Sequence, residues 1–307
     1  MRRMLIGLSC VALAATLSGT VPAAANPAGA GHRPDVVPSM ARNLVAYYDF
    51  EHPAQGGAVE RDLGRSGTDL WLVNGAPRVR DGLRHALQTG QNSAVASNDD
   101  WKAGVYSPTG VPSLRAFNAA REITVMGWFK PTGVNPSLNT VTEDPADYYN
   151  AVGLAGVLTG DSDGHAVRAL LEVINVNGEL KVVALGRRVD GGASQTFAAS
   201  APWHEVLPPG QWTHLAATFD FDTGEMALYR NGRALDGFYT ITGDPWLLEG
   251  EPEPDVTTAS DPRGIKIGGS FPQNTVERNP CNCRMDELIF LDRAATQKEI
   301  KAQYRRR

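Results

Sequence analysis

Thr213-His214-Leu215-Ala216-Ala217-Thr218-Phe219 is followed by the turn Asp220-Phe221-Asp222-Thr223-Gly224 and then by Glu225-Met226-Ala227-Leu228-Tyr229-Arg230, which ends on Asn231-Gly232. Two short runs rich in apolar and β-forming residues, punctuated by Asp and Gly, read as neighbouring strands. Asn-Gly is the strongest short hairpin signal, because both residues tolerate positive φ. The same pattern recurs outward along the chain. Leu44-Val45-Ala46-Tyr47-Tyr48-Asp49-Phe50 opens it. Glu122-Ile123-Thr124-Val125-Met126-Gly127-Trp128-Phe129 is apolar on both faces, as a central strand should be. Ala166 to Ile174 and Glu179 to Gly186 flank Asn175-Val176-Asn177-Gly178, and Gly264 to Gly268 and Arg284 to Leu291 supply late strands. Many short strands joined by turns predict an all-β sandwich or barrel. One short C-terminal helix is expected. Thr296-Gln297-Lys298-Glu299 is a capping box, and Ile300 and Tyr304 then share one face.

The 307 residues carry a formal net charge of −5, with 42% hydrophobic and 21% charged residues, 32 Gly and 20 Pro. That size can bury a sizeable core, and the Gly and Pro content suits strands and turns. An acidic balance argues against a nucleic-acid partner. The one basic cluster after the leader, Arg305-Arg306-Arg307, reads as a solvated, frayed tail. Residues 1–25 read as a signal peptide: Arg2 and Arg3, an apolar run from Met4 to Leu17, and Ala23-Ala24-Ala25 at the cleavage site. The run is too short for a comfortable membrane span. Its paired arginines leave both the general and the twin-arginine export routes open. Residues 26–41, rich in Ala, Gly and Pro, read as a flexible leader, and 42–307 as one domain. Two acidic, proline-bearing insertions, 133–150 and 240–261, lack periodicity.

Several stretches resemble the LamG-like jelly-roll family of the laminin G and concanavalin A-like superfamily. Leu44 to Phe50 followed by Asp62-Leu63-Gly64-Arg65-Ser66-Gly67 is similar to the family's first strand and turn. Ile123 to Pro131, Gly210 to Phe219 with its Trp212-Thr213-His214, Leu228-Tyr229-Arg230-Asn231-Gly232, Ile265 to Gly269, and Met285-Asp286-Glu287-Leu288 resemble the later strands in the family's order. No single piece is specific; the ordered set from Leu44 to Tyr304 is. The resemblance implies a concanavalin A-like jelly-roll sandwich of two antiparallel sheets. It also implies extracellular recognition, and often a structural calcium ion. The insertions and the Cys281-Asn282-Cys283 segment depart from the family pattern and leave the ligand open, because loops select ligands in such folds.

Related sandwiches include glycan hydrolases, whose strands carry alternating carboxylates that flank the scissile bond. No strand here shows that pattern, and Glu251-Pro252-Glu253-Pro254-Asp255 reads as a solvated acidic loop. His214 reads as a structural histidine. No G-x-S-x-G nucleophile motif and no zinc spacing of Cys or His is present. Gly160-Asp161-Ser162-Asp163-Gly164 fits either a tight turn or part of a sugar or calcium site. Asp49 and Asp286 each interrupt an apolar strand. They are candidates for a structural calcium site, the alternative being backbone amides or an arginine as partners. Tyr148, Tyr149, Trp203, Tyr239 and Trp246 are candidate stacking platforms for a ligand, while Trp128 and Trp212 are expected in the core. Cys281 and Cys283, the only cysteines beyond the leader, are expected to form a local disulfide in an oxidising compartment; free thiols or a link to another chain are the alternatives. The expectation is a secreted, non-catalytic recognition module, carbohydrate-binding, with an extracellular glycan or cell-surface ligand as partner. A glycoside hydrolase or polysaccharide lyase on the same scaffold and a protein-adhesion module are the alternatives. Oligomeric state stays open.

Overall fold

The computed structural model describes residues 34–73, 76–90, 103–104, 112–135, 152–158, 167–187, 195–241, 265–268 and 281–307. Its strands form two antiparallel sheets. The first runs Arg233–Ala234, Met226–Arg230, Thr213–Asp220, Glu122–Pro131, Cys283–Leu291, Arg84–Gln88, Arg78–Asp81, with Leu44–Tyr48 also paired to Cys283–Leu291. The second runs Gly237–Tyr239, Gln195–Ala199, Glu179–Gly186, Val167–Val176, Val152–Leu158, Ile265–Ile267, Ala103–Gly104, Leu70–Leu72, Val59–Glu60, Pro53–Ala54.

Alternation sorts the faces. Ile123, Val125, Phe129, Leu215, Ala217, Phe219, Leu288 and Phe290 point inward from the first sheet. They meet Leu154, Leu171, Val173, Val182 and Ala184 of the second in one buried cluster. Asn231 and Gly232 take positive φ (50° and 76°), as the hairpin signal predicts. A Cβ on Gly232 would lie 2.6 Å from Cα of Lys301, so the hairpin also seats the closing helix, Gln297–Tyr304. That helix begins with the expected capping box between Thr296 and Glu299.

The strand Cys283–Leu291 serves two partners on one edge. Its first half pairs with Arg84–Gln88 and its second with Leu44–Tyr48. A bulge between Asp286 and Ile289 divides the halves, with Glu287 at φ 49°. The extra residue twists the strand locally and re-aims the side chains around it.

The outer face of the first sheet is also covered. Met126, Ala216, Ile289 and Leu291 pack under Val36, Met40 and Ile300 in a second buried cluster. Residues 34–41, expected within a flexible leader, are therefore packed: Met40 is fully buried, and Val37 N–H donates to Gln303 Oε1 at 2.9 Å. The expected frayed tail is also engaged, with Arg306 paired to Asp35 and Arg307 to Asp286. Local composition could not show this, because the partners lie more than 250 residues apart for Asp35 and Arg306. Trp128 is buried, as expected, and Trp212 partly so, but both lie on this outer side rather than between the sheets: Trp128 alternates with the inward Phe129, and Trp212 N–H donates to Asp81 Oδ2 at 3.0 Å. Among the described residues no helix is long and apolar enough to cross a membrane. The expected signal peptide lies outside them.

Candidate functional site

Tyr239 ends the edge strand Gly237–Tyr239, which pairs with Gln195–Ala199. Its hydroxyl accepts a hydrogen bond from Met226 N–H (2.9 Å) and donates to Gly224 C=O (3.2 Å), so the tyrosine reaches from the second sheet to the turn of the first. Its ring meets Phe197 edge-on at 5.2 Å. Three contacts thus hold one aromatic plane, and the residue still keeps 38% of its surface in solvent. Phe238 and Ile241 beside it are exposed to a similar degree. Fixed aromatic planes with one side in water suit stacking against a ligand face.

The remaining aromatic candidates fare differently. Trp203 lies in the short helix Trp203–Val206 and packs, partly buried, against the main core. Tyr148, Tyr149 and Trp246 lie outside the described residues, as does Gly160-Asp161-Ser162-Asp163-Gly164. Trp71, not singled out from the sequence, is an exposed aromatic on the second sheet. Leu70 beside it is buried in the core, so alternation turns Trp71 outward. In register it is followed by Gly104, Lys266, Gly156 and Leu170 on successive strands. The pattern Leu70-Trp71-Leu72 could have signalled it. Lys266 and Glu172 face outward from the same sheet by alternation, yet both are buried, and neither lacks a partner.

A second cluster gathers around Asp49. Asp49 Oδ1 lies 2.8 Å from His52 Nδ1, His52 N–H donates to Glu60 Oε1 at 3.0 Å, and Glu60 pairs with Arg78. One ligand atom each from Asp49, His52 and Glu60 lies within 4.8 Å of the others, a set that could hold a metal ion. Burial pushes the Glu60 carboxyl up, and Arg78 works against that rise.

Asp286 does not join this set; its carboxylate takes other partners. Oδ1 accepts Glu287 N–H at 2.8 Å, and Oδ2 lies 3.2 Å from the Arg307 guanidinium. Burial raises its pKa to about 8, against the pull of Arg307. No contact joins it to Asp49. The bulge after Asp286 and the closing helix decide this, and neither is visible in the strand's apolar pattern. His214, next to this group, is buried with no hydrogen-bond partner on either ring nitrogen. Burial, and then Arg307, lower its pKa to about 3. Cys281 and Cys283 are both buried, with Cα atoms 5.1 Å apart and their sulfurs facing.

A laminin G family model, described as the concanavalin A-like lectin/glucanases superfamily, matches residues 102–301. The chain belongs to this superfamily. No curated protein matches the sequence. Among solved structures, this concanavalin A-like chain is similar to the receptor binding domain of a botulinum neurotoxin C/D mosaic serotype, at 12% identity and a TM-score of 0.52 over 87% of this chain and 52% of that one. It is similar to the binding domain of Paraclostridial Mosquitocidal Protein 1, at 15% identity and TM-score 0.51 over 86% and 52%. It is also similar to a Trypanosoma rangeli sialidase in complex with sialic acid, at 15% and 0.50 over 86% and 33%. The chain thus spans about half of each toxin domain and a third of the sialidase. At such identities the likeness concerns the fold.

Proposed function

We propose that this protein is an exported, non-catalytic recognition module that binds carbohydrate, with the Tyr239 edge as its stacking platform. The observation that carries the proposal is the immobilised, half-exposed ring of Tyr239 beside exposed Phe238. A ring already held in place loses little freedom when a sugar stacks on it. Two similar folds support glycans as the class: the sialidase holds sialic acid, and botulinum neurotoxin type C (TM-score 0.51, 10% identity) depends for cell entry on interaction with two ganglioside molecules. Export rests on the leader of residues 1–25, and an oxidising compartment would join Cys281 to Cys283.

For the cation, the proposal is narrower than a calcium bridge between Asp49 and Asp286. Asp49, His52 and Glu60 are the residues that would hold it. Calcium takes about six to eight oxygen ligands, whereas an imidazole with carboxylates suits zinc-like ions. Glu60 is also already neutralised by Arg78. The donor set therefore fits calcium poorly. Elemental analysis of the purified protein checks this point, and stoichiometric calcium would reverse it.

The test of the main proposal is a glycan array probed with the mature protein, including sialylated and neutral glycans. Hits should lose at least tenfold in affinity in Tyr239→Ala and a smaller factor in Tyr239→Phe, which keeps the ring and its contact with Phe197 but not the two hydroxyl bonds that fix it. Unchanged binding by Tyr239→Ala, or no hit at all, overturns it. Release of reducing ends from a bound glycan would move the assignment to a hydrolase.

A further inference from the structure

On the outer side of the first sheet, far along the chain from the Tyr239 edge, Arg307 sits in a seat built by other residues. Its guanidinium carbon lies 4.1 Å from the centre of the Trp212 ring and 4.8 Å from that of Trp128. Asp286, almost fully buried, faces it at 3.2 Å. Only 17% of the Arg307 side chain remains exposed.

Other residues also hold the walls of this seat. Trp212 is oriented by its N–H bond to Asp81, and Asp81 is itself held by Lys130 Nζ at 2.8 Å. Trp128 packs edge-on against His214 at 5.3 Å and against the Tyr304 ring at 5.5 Å. Asp286 is fixed from behind by Glu287 N–H. Two indoles and a carboxyl group are thus arranged around the Arg307 guanidinium, with Lys130 Nζ as a second cation 5.4 Å from the centre of the Trp212 ring. Indole faces attract cations, and the planar guanidinium stacks on them better than an ammonium does.

Arg307 fills the seat incompletely. Its contact with Asp286 is an ion pair, and Asp286 Oδ2, Trp128 Nε1 and one terminal nitrogen of Arg307 are buried without a hydrogen-bond partner. Buried polar atoms are nearly always satisfied, so three orphans at one contact set this seat apart from an ordinary surface ion pair.

We propose that Trp128, Trp212 and Asp286 form a binding site for the arginine side chain of a ligand, and that Arg307 occupies it in cis as a displaceable plug. A tethered occupant competes at a high effective concentration, so an outside arginine must bind the intact protein more weakly than a protein lacking the plug. The site uses a face of the fold that the carbohydrate proposal does not, and stands or falls separately from it.

The experiment titrates N-acetyl-arginine methylamide into the full-length mature protein at pH ~9, where Asp286 carries its charge, followed by tryptophan fluorescence and calorimetry. The neutral citrulline analogue serves as control. Arg307→Ala should bind the arginine probe at least tenfold more tightly than wild type, and Arg307→Ala combined with Asp286→Asn should lose that gain. The citrulline analogue should not bind. Arg307→Lys keeps a cation in the seat if Arg307→Ala fails to fold; it should bind the probe more tightly than wild type, because lysine lacks the planar fork. Equal affinities in wild type and the folded variant, or equal binding of the citrulline analogue, overturn the proposal.

Discussion

His214 should make the protein acid-sensitive in a way that one substitution removes. Its imidazole is buried against Trp128, and burial, followed by the nearby Arg307, holds its folded pKa at about 3. In the unfolded chain a histidine titrates near about 6.5. Between those values the unfolded chain takes up a proton that the folded protein refuses. Stability contributed by the neutral ring is therefore full above the unfolded pKa and is lost as pH falls below it. Each pH step in that window costs about 1.4 kcal/mol, so by pH ~5 the loss is about 2 kcal/mol. Asp286 pulls the other way. Its folded pKa, raised to about 8 chiefly by burial, means that acidification from about pH 8 relieves a buried charge. The difference between proteins isolates the histidine. His214→Phe keeps an aromatic ring beside Trp128 and breaks no hydrogen bond, since neither ring nitrogen has a partner. Urea unfolding at pH 7, 6 and 5 should show wild type losing about 2 kcal/mol relative to His214→Phe over that span. Parallel pH dependences in the two proteins, or a native-state NMR titration of His214 near its unfolded value, would refute the reasoning.

Asp62→Ala should cost about 3–5 kcal/mol in urea unfolding. This carboxylate accepts from Tyr47 N–H, Gly64 N–H, Ser66 Oγ and Thr68 N–H at 2.5–3.0 Å, and alanine leaves all four donors without it; a loss under about 1 kcal/mol would mean that the turn is satisfied in another way. Glu299 is drawn down to about 2, first by Arg293 and also by the Thr296 cap, so its stabilising part is fully present above the ordinary carboxylate pKa and is lost as pH falls from there to about 2. Glu299→Gln should flatten this acid limb of the unfolding curve, and an unchanged limb would count against the cap. Thiol titration of the secreted, unreduced and denatured protein should find no free Cys281 or Cys283; two reactive thiols would remove the disulfide proposal.

Strand identity was largely legible because it is local. The two-residue alternation in Thr213–Asp220 and Glu122–Pro131, the Asn231-Gly232 turn and the Thr296/Glu299 cap each encode their geometry within a few residues. The ordered motifs then led to the concanavalin A-like family, whose model matches residues 102–301. Tyr239 was legible as an aromatic beside an insertion, but not its double hydrogen bond across the sandwich edge.

Alternation and turn residues gave the strands and an all-β sandwich or barrel, and the family resemblance added the two antiparallel sheets. What covers the outer face of the first sheet, and what each strand carboxylate meets, depends on long-range packing. Asp49 and Asp286 looked equivalent as single acids in apolar strands. The fold brings Glu60, held by Arg78, up to Asp49 and its neighbour His52, and sets Arg307 against Asp286. The physical reason is distance along the chain: alternation says which way a side chain points, and only the packing of remote segments determines what waits there.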